Sequence, residues 1–109
     1  MRQWDIFDFR FDHPIGTHPA VILSPDEATL NPDIKQLNVL IVTTVRPDCR
    51  PHRNDVMLNE ADGLDHLSRV KVLPIVIANK NESGRRRGAL SFTRQKAVAK
   101  KIREVYRLD

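Results

Sequence analysis

The chain has 109 residues, with 40% hydrophobic and 29% charged, and 18 Lys and Arg against 14 Asp and Glu give a net charge of +4. That length is near the commonest size for one domain and needs no disulfide or metal to fold, and that balance excludes a disordered chain. No apolar run approaches the ~18 residues of a membrane span, and Met1-Arg2-Gln3-Trp4-Asp5 has no signal-peptide core, so a cytoplasmic protein with a single domain over 1–109 is expected.

Residues 4–11 predict a first strand, because Phe7, Phe9 and Phe11 alternate with Asp8, Arg10 and Asp12. Trp4 and Ile6 start in a different phase, which predicts a bulge or twist near Ile6. Asp12-His13-Pro14-Ile15-Gly16 reads as a loop. A second strand follows over 19–24, with Pro19 as its first residue because proline has no N–H for a ladder. A hairpin is the simplest link between the two.

Ser24, Pro25 and Glu27 form a helix-start signal, with Ser24 as cap, Pro25 in the first helical position and Glu27 completing a capping box. Asn31-Pro32-Asp33 keeps that helix short. The third strand, 37–45, is a continuous Val/Ile/Thr run, as expected for a central strand. Residues 46–54 are a polar loop with two prolines. Asp55-Val56-Met57-Leu58-Asn59 predicts a fourth strand, and Asp62-Gly63 a turn. The fifth strand, Arg69–Ala78, has Val70, Val72 and Val76 on one face and Leu73, Ile75 and Ile77 on the other. Pro74 demands an edge, a bulge or a break in it.

Asn79 to Gly84 is a loop, and Arg85-Arg86-Arg87-Gly88-Ala89-Leu90 a basic connection with room for a short extended piece. Ser91 caps a last helix, Phe92–Leu108, whose apolar stripe is Val98, Ile102, Val105 and Tyr106. Five or more short strands, a short internal helix and a C-terminal helix predict a mostly β fold, a small, strongly curved β barrel with a helix attached.

Charge is uneven along the chain. Residues 1–84 carry 9 Lys/Arg and 12 Asp/Glu; residues 85–109 carry 9 and 2. The basic part suits a polyanionic or acidic partner, or is a solvated helix face. Cys49 cannot form an internal disulfide and reads as a bystander thiol. There is no glycine-rich phosphate loop, no dinucleotide fingerprint and no zinc spacing. His13 and His18 have no Cys or second pair beside them, so neither a metal nor a cofactor is expected.

What remains is a site of His, Thr, Lys and Arg, or a surface that only binds. Thr17 and His18 lie at the mouth of the second strand, and Thr44 near the end of the third. The two ends are expected to meet in one shallow hollow. Arg46, Arg50 and Arg53, with His52, make 46–54 the loop of the first half best suited to phosphate.

The order of motifs resembles the PemK/MazF family of bacterial toxins over nearly the whole chain. The resemblance is carried by Trp4-Asp5-Ile6, by Gly16-Thr17-His18-Pro19-Ala20-Val21-Ile22-Leu23-Ser24 and by Val39-Leu40-Ile41-Val42-Thr43-Thr44. Ser68 to Asn79 and Arg87-Gly88-Ala89-Leu90-Ser91 complete it. It implies a small SH3-like barrel of five to seven strands, a homodimer and inhibition by a partner antitoxin. It further implies metal-independent cleavage of single-stranded RNA by attack of the ribose 2′-OH on the adjacent phosphorus, leaving a 2′,3′-cyclic phosphate.

Residue by residue, the family's catalytic Arg falls on His18 and its catalytic Thr on Thr44. An Arg of a second branch falls near Lys71, and an Asp two residues on falls on Leu73. Histidine, with an ordinary pKa of ~6.5, suits proton transfer, whereas lysine supplies a point charge without arginine's fork. His13 is a further candidate acid or base.

Two readings follow. In the first, an endoribonuclease toxin, His18 is base or acid and Thr44 bonds a phosphate oxygen. Thr17, Arg46, Arg50, Arg53 and Arg85, Arg86, Arg87 then bind RNA. In the second, a catalytically silent barrel of the same fold binds a protein, such as DNA gyrase; Leu73 in place of the acid favours it and Thr44 disfavours it. The plainer alternatives are a strand-capping His18, an ordinary strand threonine at 44 and a solvated Lys71.

Overall fold

The computed structural model describes residues 1–47 and 52–108. Seven strands and two helices follow one another as β1 (Asp5–Phe11), β2 (Gly16–Ile22), α1 (Asp26–Thr29), β3 (Gln36–Thr44), β4 (Asp55–Leu58), β5 (Ser68–Lys71), β6 (Val76–Asn79), β7 (Ser83–Ala89) and α2 (Phe92–Val105). All pairings are antiparallel, in the order β4-β5-β3-β2-β1-β7, with β6 also on β3.

The ladder is open, with β4 at one end and β7 at the other, so the expected strongly curved barrel is not closed by hydrogen bonds. The short 3-10 turn Glu60–Asp62 and Gly63 pack against β7 instead. Gly63 has φ +88°, and a Cβ there would run into the Arg87 carbonyl; one on Gly88 would come within 2.9 Å of the Asp62 carbonyl.

The long apolar runs of β2 and β3 are explained by burial on both faces. Leu37 and Val39 join Phe9, Ala20, Ile22 and Ala78 in one core cluster. Leu40 and Val42 join Ile6, Val21, Val56, Leu58, Val70 and Val72 in the other, which Val98 of α2 completes. Ile102 and Val105 pack on this second cluster, and Tyr106 Oη donates to the Val72 carbonyl at 2.7 Å. The helical stripe read from the sequence therefore faces the sheet.

Several boundaries differ from expectation for identifiable reasons. The second strand begins at Gly16 (φ +73°), not at Pro19. Pro19 is tolerated inside it because β3 pairs only with Ala20–Ile22. The first-strand irregularity is real: the β1–β7 register shifts between Ile6 and Phe7 and again before Phe9. Pro74 splits the expected fifth strand into β5 and β6, which meet β3 at Val42–Thr44 and Gln36–Val39 respectively. Its second face is exposed, with Leu73 at 53% and Ile77 at 61%. Ser24 does not cap α1; Pro25 takes the cap position without a side-chain bond, while buried Ser24 Oγ accepts the Asn38 N–H at 2.8 Å. Ser91 does cap α2, accepting the Arg94 N–H. Arg85–Arg87, expected as a connection, lie within β7.

Among the described residues no helix is long and apolar enough to cross a membrane.

Candidate functional site

β2, β3 and β5 run side by side, and their polar ends converge. The third strand's apolar pattern stops at Val42 and continues as Thr43 and Thr44, and β5 brings Ser68 opposite Thr44 and Arg69 opposite Thr43. His18 and Pro19 lie on β2 before its pairing with β3 begins. The result is an open hollow of about 430 Å³ lined by His18, Thr43, Thr44, Arg46, Ser68, Arg69 and Lys71, with Pro19 and Val42.

Its floor is fixed by a buried ion pair. Arg69 Nη1 meets Asp55 Oδ2 at 3.2 Å, and Arg69 Nε donates to Thr43 Oγ1 at 3.0 Å. Ser68 Oγ donates to the His66 carbonyl. Arg46 is exposed and Lys71 half-buried, and among the described residues neither is tied to a carboxylate. The hollow thus has a charge-paired floor and, on its walls, two cations with no carboxylate partner among the described residues. An anion placed there gains two positive neighbours without displacing an existing salt bridge.

A model of the family described as PemK-like, MazF-like toxin of type II toxin-antitoxin system matches residues 2–106. The chain belongs to the PemK/MazF toxin family.

Solved structures of similar fold include Mycobacterium tuberculosis toxin MazF-mt6, 22% identical with TM-score 0.82, covering 96% of this chain and 98% of that chain. An endoribonuclease in complex with its cognate antitoxin from Mycobacterial species is 17% identical with TM-score 0.81, covering 100% and 97%. MazE-MazF from Deinococcus radiodurans is 14% identical with TM-score 0.75, again covering 100% and 97%. These likenesses show the fold. No curated protein sequence gives a match.

Of the residues singled out in the sequence, His18, Thr44, Arg46 and Lys71 share the hollow. His18, Thr43 and Lys71 also line an adjoining, more apolar one of about 330 Å³ with Pro14, Ile15, Ile41, Pro74 and Val76. His13 does not join them; it is exposed in the β1–β2 connection. Thr17 is exposed opposite Arg10 and lines neither hollow. Arg53 is exposed, and its carbonyl accepts Lys101 Nζ.

Arg85–Arg87 sit on β7, at the far end of the ladder from β5. Arg87 is committed: it pairs with Asp8 at 3.2 Å and Asp65 at 2.9 Å and is 12% exposed. Arg86 meets Asp5 at 3.4 Å. Arg86 and Arg87 thereby tie β7 to β1, and Arg85 is exposed on the same strand. Arg50 and Cys49 fall outside the described residues.

Sequence reasoning missed Arg69, Thr43 and Asp55. The signal for Arg69 was its spacing: Arg69 and Lys71 are two apart on one strand, hence on the same face. Nothing local marked Asp55 as its partner, because they are 14 positions apart. Among the described residues no three His, Cys, Asp or Glu side chains converge as metal ligands would.

Proposed function

We propose that this toxin is an endoribonuclease that cleaves single-stranded RNA without a metal, by attack of a ribose 2′-oxygen on the adjacent phosphorus. The supporting observation is the convergence of His18, Thr44, Arg46 and Lys71 on one open hollow with a charge-paired floor. In the step, the O2′–P bond forms and the P–O5′ bond breaks. A proton leaves O2′, another reaches O5′, and a 2′,3′-cyclic phosphate and a 5′-hydroxyl result.

His18 performs one of the two proton transfers, a role worth roughly 10²–10⁴ in rate. Thr44 donates to a non-bridging oxygen, and Lys71 and Arg46 offset the charge that builds on the phosphorane. The opening on the surface suits an unpaired strand, whose bases can be splayed apart, better than a duplex.

An antitoxin partner belongs to this reading. The exposed Lys96, Lys100 and Arg103 of α2 suit an acidic tail. So does a homodimer, for which exposed Leu73, Ile75 and Ile77 supply apolar surface; light scattering at twice 12.5 kDa tests it. A cytoplasmic location follows from an RNA target.

The deciding experiment incubates purified toxin with a long mixed RNA in EDTA. Discrete fragments ending in cyclic phosphate, lost in His18→Ala and Thr44→Ala, support the proposal. Intact RNA from folded protein sinks it and leaves a protein-binding role, with the exposed apolar Leu73, Ile75 and Ile77 as its starting point.

A further inference from the structure

The chain that returns to β4 ends in a turn organised by one carboxylate. Asp55 Oδ2 accepts the His52 backbone N–H at 2.7 Å while pairing with Arg69. The His52 ring is fixed as well, because its Nδ1 accepts the Asn54 backbone N–H at 3.1 Å. A nitrogen that accepts a hydrogen bond carries no hydrogen, so in the neutral ring the hydrogen is on Nε2. His52 therefore offers a fixed donor there, and not a base.

His52, Asn54, Asp55, Arg69, Lys71 and Leu73 line a hollow of about 300 Å³. It adjoins the larger one through Arg69 and Lys71, which line both. Among the described residues its wall carries two cations and one carboxylate, and that carboxylate is already engaged by Arg69 and the His52 N–H. Among those residues the surplus charge is positive, and Nε2 is the ring atom left to donate.

We infer that this hollow holds the phosphate next to the scissile one, with His52 Nε2–H donating to its oxygen and Lys71 standing between the two phosphates. The inference rests on the RNA reading above and extends the site by one nucleotide. Asp55 is then a positioning residue: one carboxylate sets both the His52 turn and the Arg69 floor. A neutral donor adds a hydrogen bond but releases no counterion, so its removal leaves the salt dependence of binding alone.

The test is fluorescence anisotropy with a mixed-sequence single-stranded RNA carrying 2′-O-methyl riboses, which cannot be cleaved, at several salt concentrations. Asparagine can accept the Asn54 N–H as Nδ1 does but does not reach the Nε2 position; glutamine does reach it. His52→Asn is expected to weaken binding about fivefold or more, with unchanged salt slope and thermal midpoint, and His52→Gln to regain part of the loss. Lys71→Ala is expected to lower the slope by ~0.7. Wild-type affinity in His52→Asn, or a loss accompanied by a lower slope or a lower midpoint, overturns the inference. If wild-type protein binds no RNA, the RNA reading falls as well; if it binds and His52→Asn is silent, only the His52 assignment falls.

Discussion

Arg69 and Asp55 form an ion pair under the floor of the candidate site, 3.2 Å apart, with side chains only 10% and 7% exposed. Removing one member of such a pair strands the other charge, at a cost of about 3–5 kcal/mol. Arg69→Met should therefore lower the urea midpoint strongly with the slope unchanged. Asp55→Ala combined with it should cost less than the two single changes added together, because the stranded carboxylate is then gone. Additive losses would show that the two side chains do not act as a pair.

Arg46 and Arg87 are both arginines of basic segments, yet their surroundings differ. Arg46 lines the hollow and has no carboxylate partner among the described residues; Arg87 bridges Asp8 and Asp65. Arg46→Ala should reduce the salt slope of RNA binding by ~0.7 and leave stability within about 0.5 kcal/mol. Arg87→Ala should do the reverse, losing about 2 kcal/mol of stability with the slope kept. Denaturant melts and salt titrations of the two variants measure this, and a slope change in Arg87→Ala would return that residue to the RNA surface.

Gly63 is held at φ +88° against the Arg87 carbonyl. Alanine there meets backbone, not a movable side chain, and also adopts a disfavoured conformation. Gly63→Ala should cost more than about 2 kcal/mol and loosen the contact between the Glu60–Asp62 turn and β7. Gly16→Ala, with φ +73° but open space around it, should cost less, about 1 kcal/mol. Equal thermal midpoints for the two variants would contradict the close packing at Gly63.

Asp26 ties the N-terminus to α1. The Gln3 backbone N–H, and then Arg2, hold its carboxyl below the ordinary 3.8. A carboxyl with a depressed folded-state value stabilises the fold above its unfolded value. That contribution fades as pH falls through the folded value. Asp26→Asn should therefore show a shallower loss of stability on acidification below the ordinary 3.8 than the wild type does. Parallel acid-unfolding curves would remove Asp26 from the account.

Most of the fold was legible along the chain. Phe7, Phe9 and Phe11 announced β1, the Val/Ile/Thr run announced β3, and Val98, Ile102 and Val105 announced the buried side of α2. His18 and Thr44 could be paired in advance because both sit where an apolar run gives way to polar residues. Pro19 and Ser24 misled because the usual meanings of proline and serine at element starts hold only when no neighbour intervenes. β3 leaves the first half of β2 unpaired, and the Asn38 N–H draws Ser24 away from the helix start.

The sequence alone determined the elements, the family and the two strand ends that meet, since periodicity, turn residues and motif order are properties of near neighbours. Only the tertiary structure decided which charges are spent and which remain available. Arg69 lies against Asp55, and Arg87 against Asp8 and Asp65, while Arg46 and Lys71 keep no acidic partner among the described residues. It also left the ladder open where the Gly63 turn stands. Both outcomes depend on groups far apart in the chain that approach only once the sheet has formed.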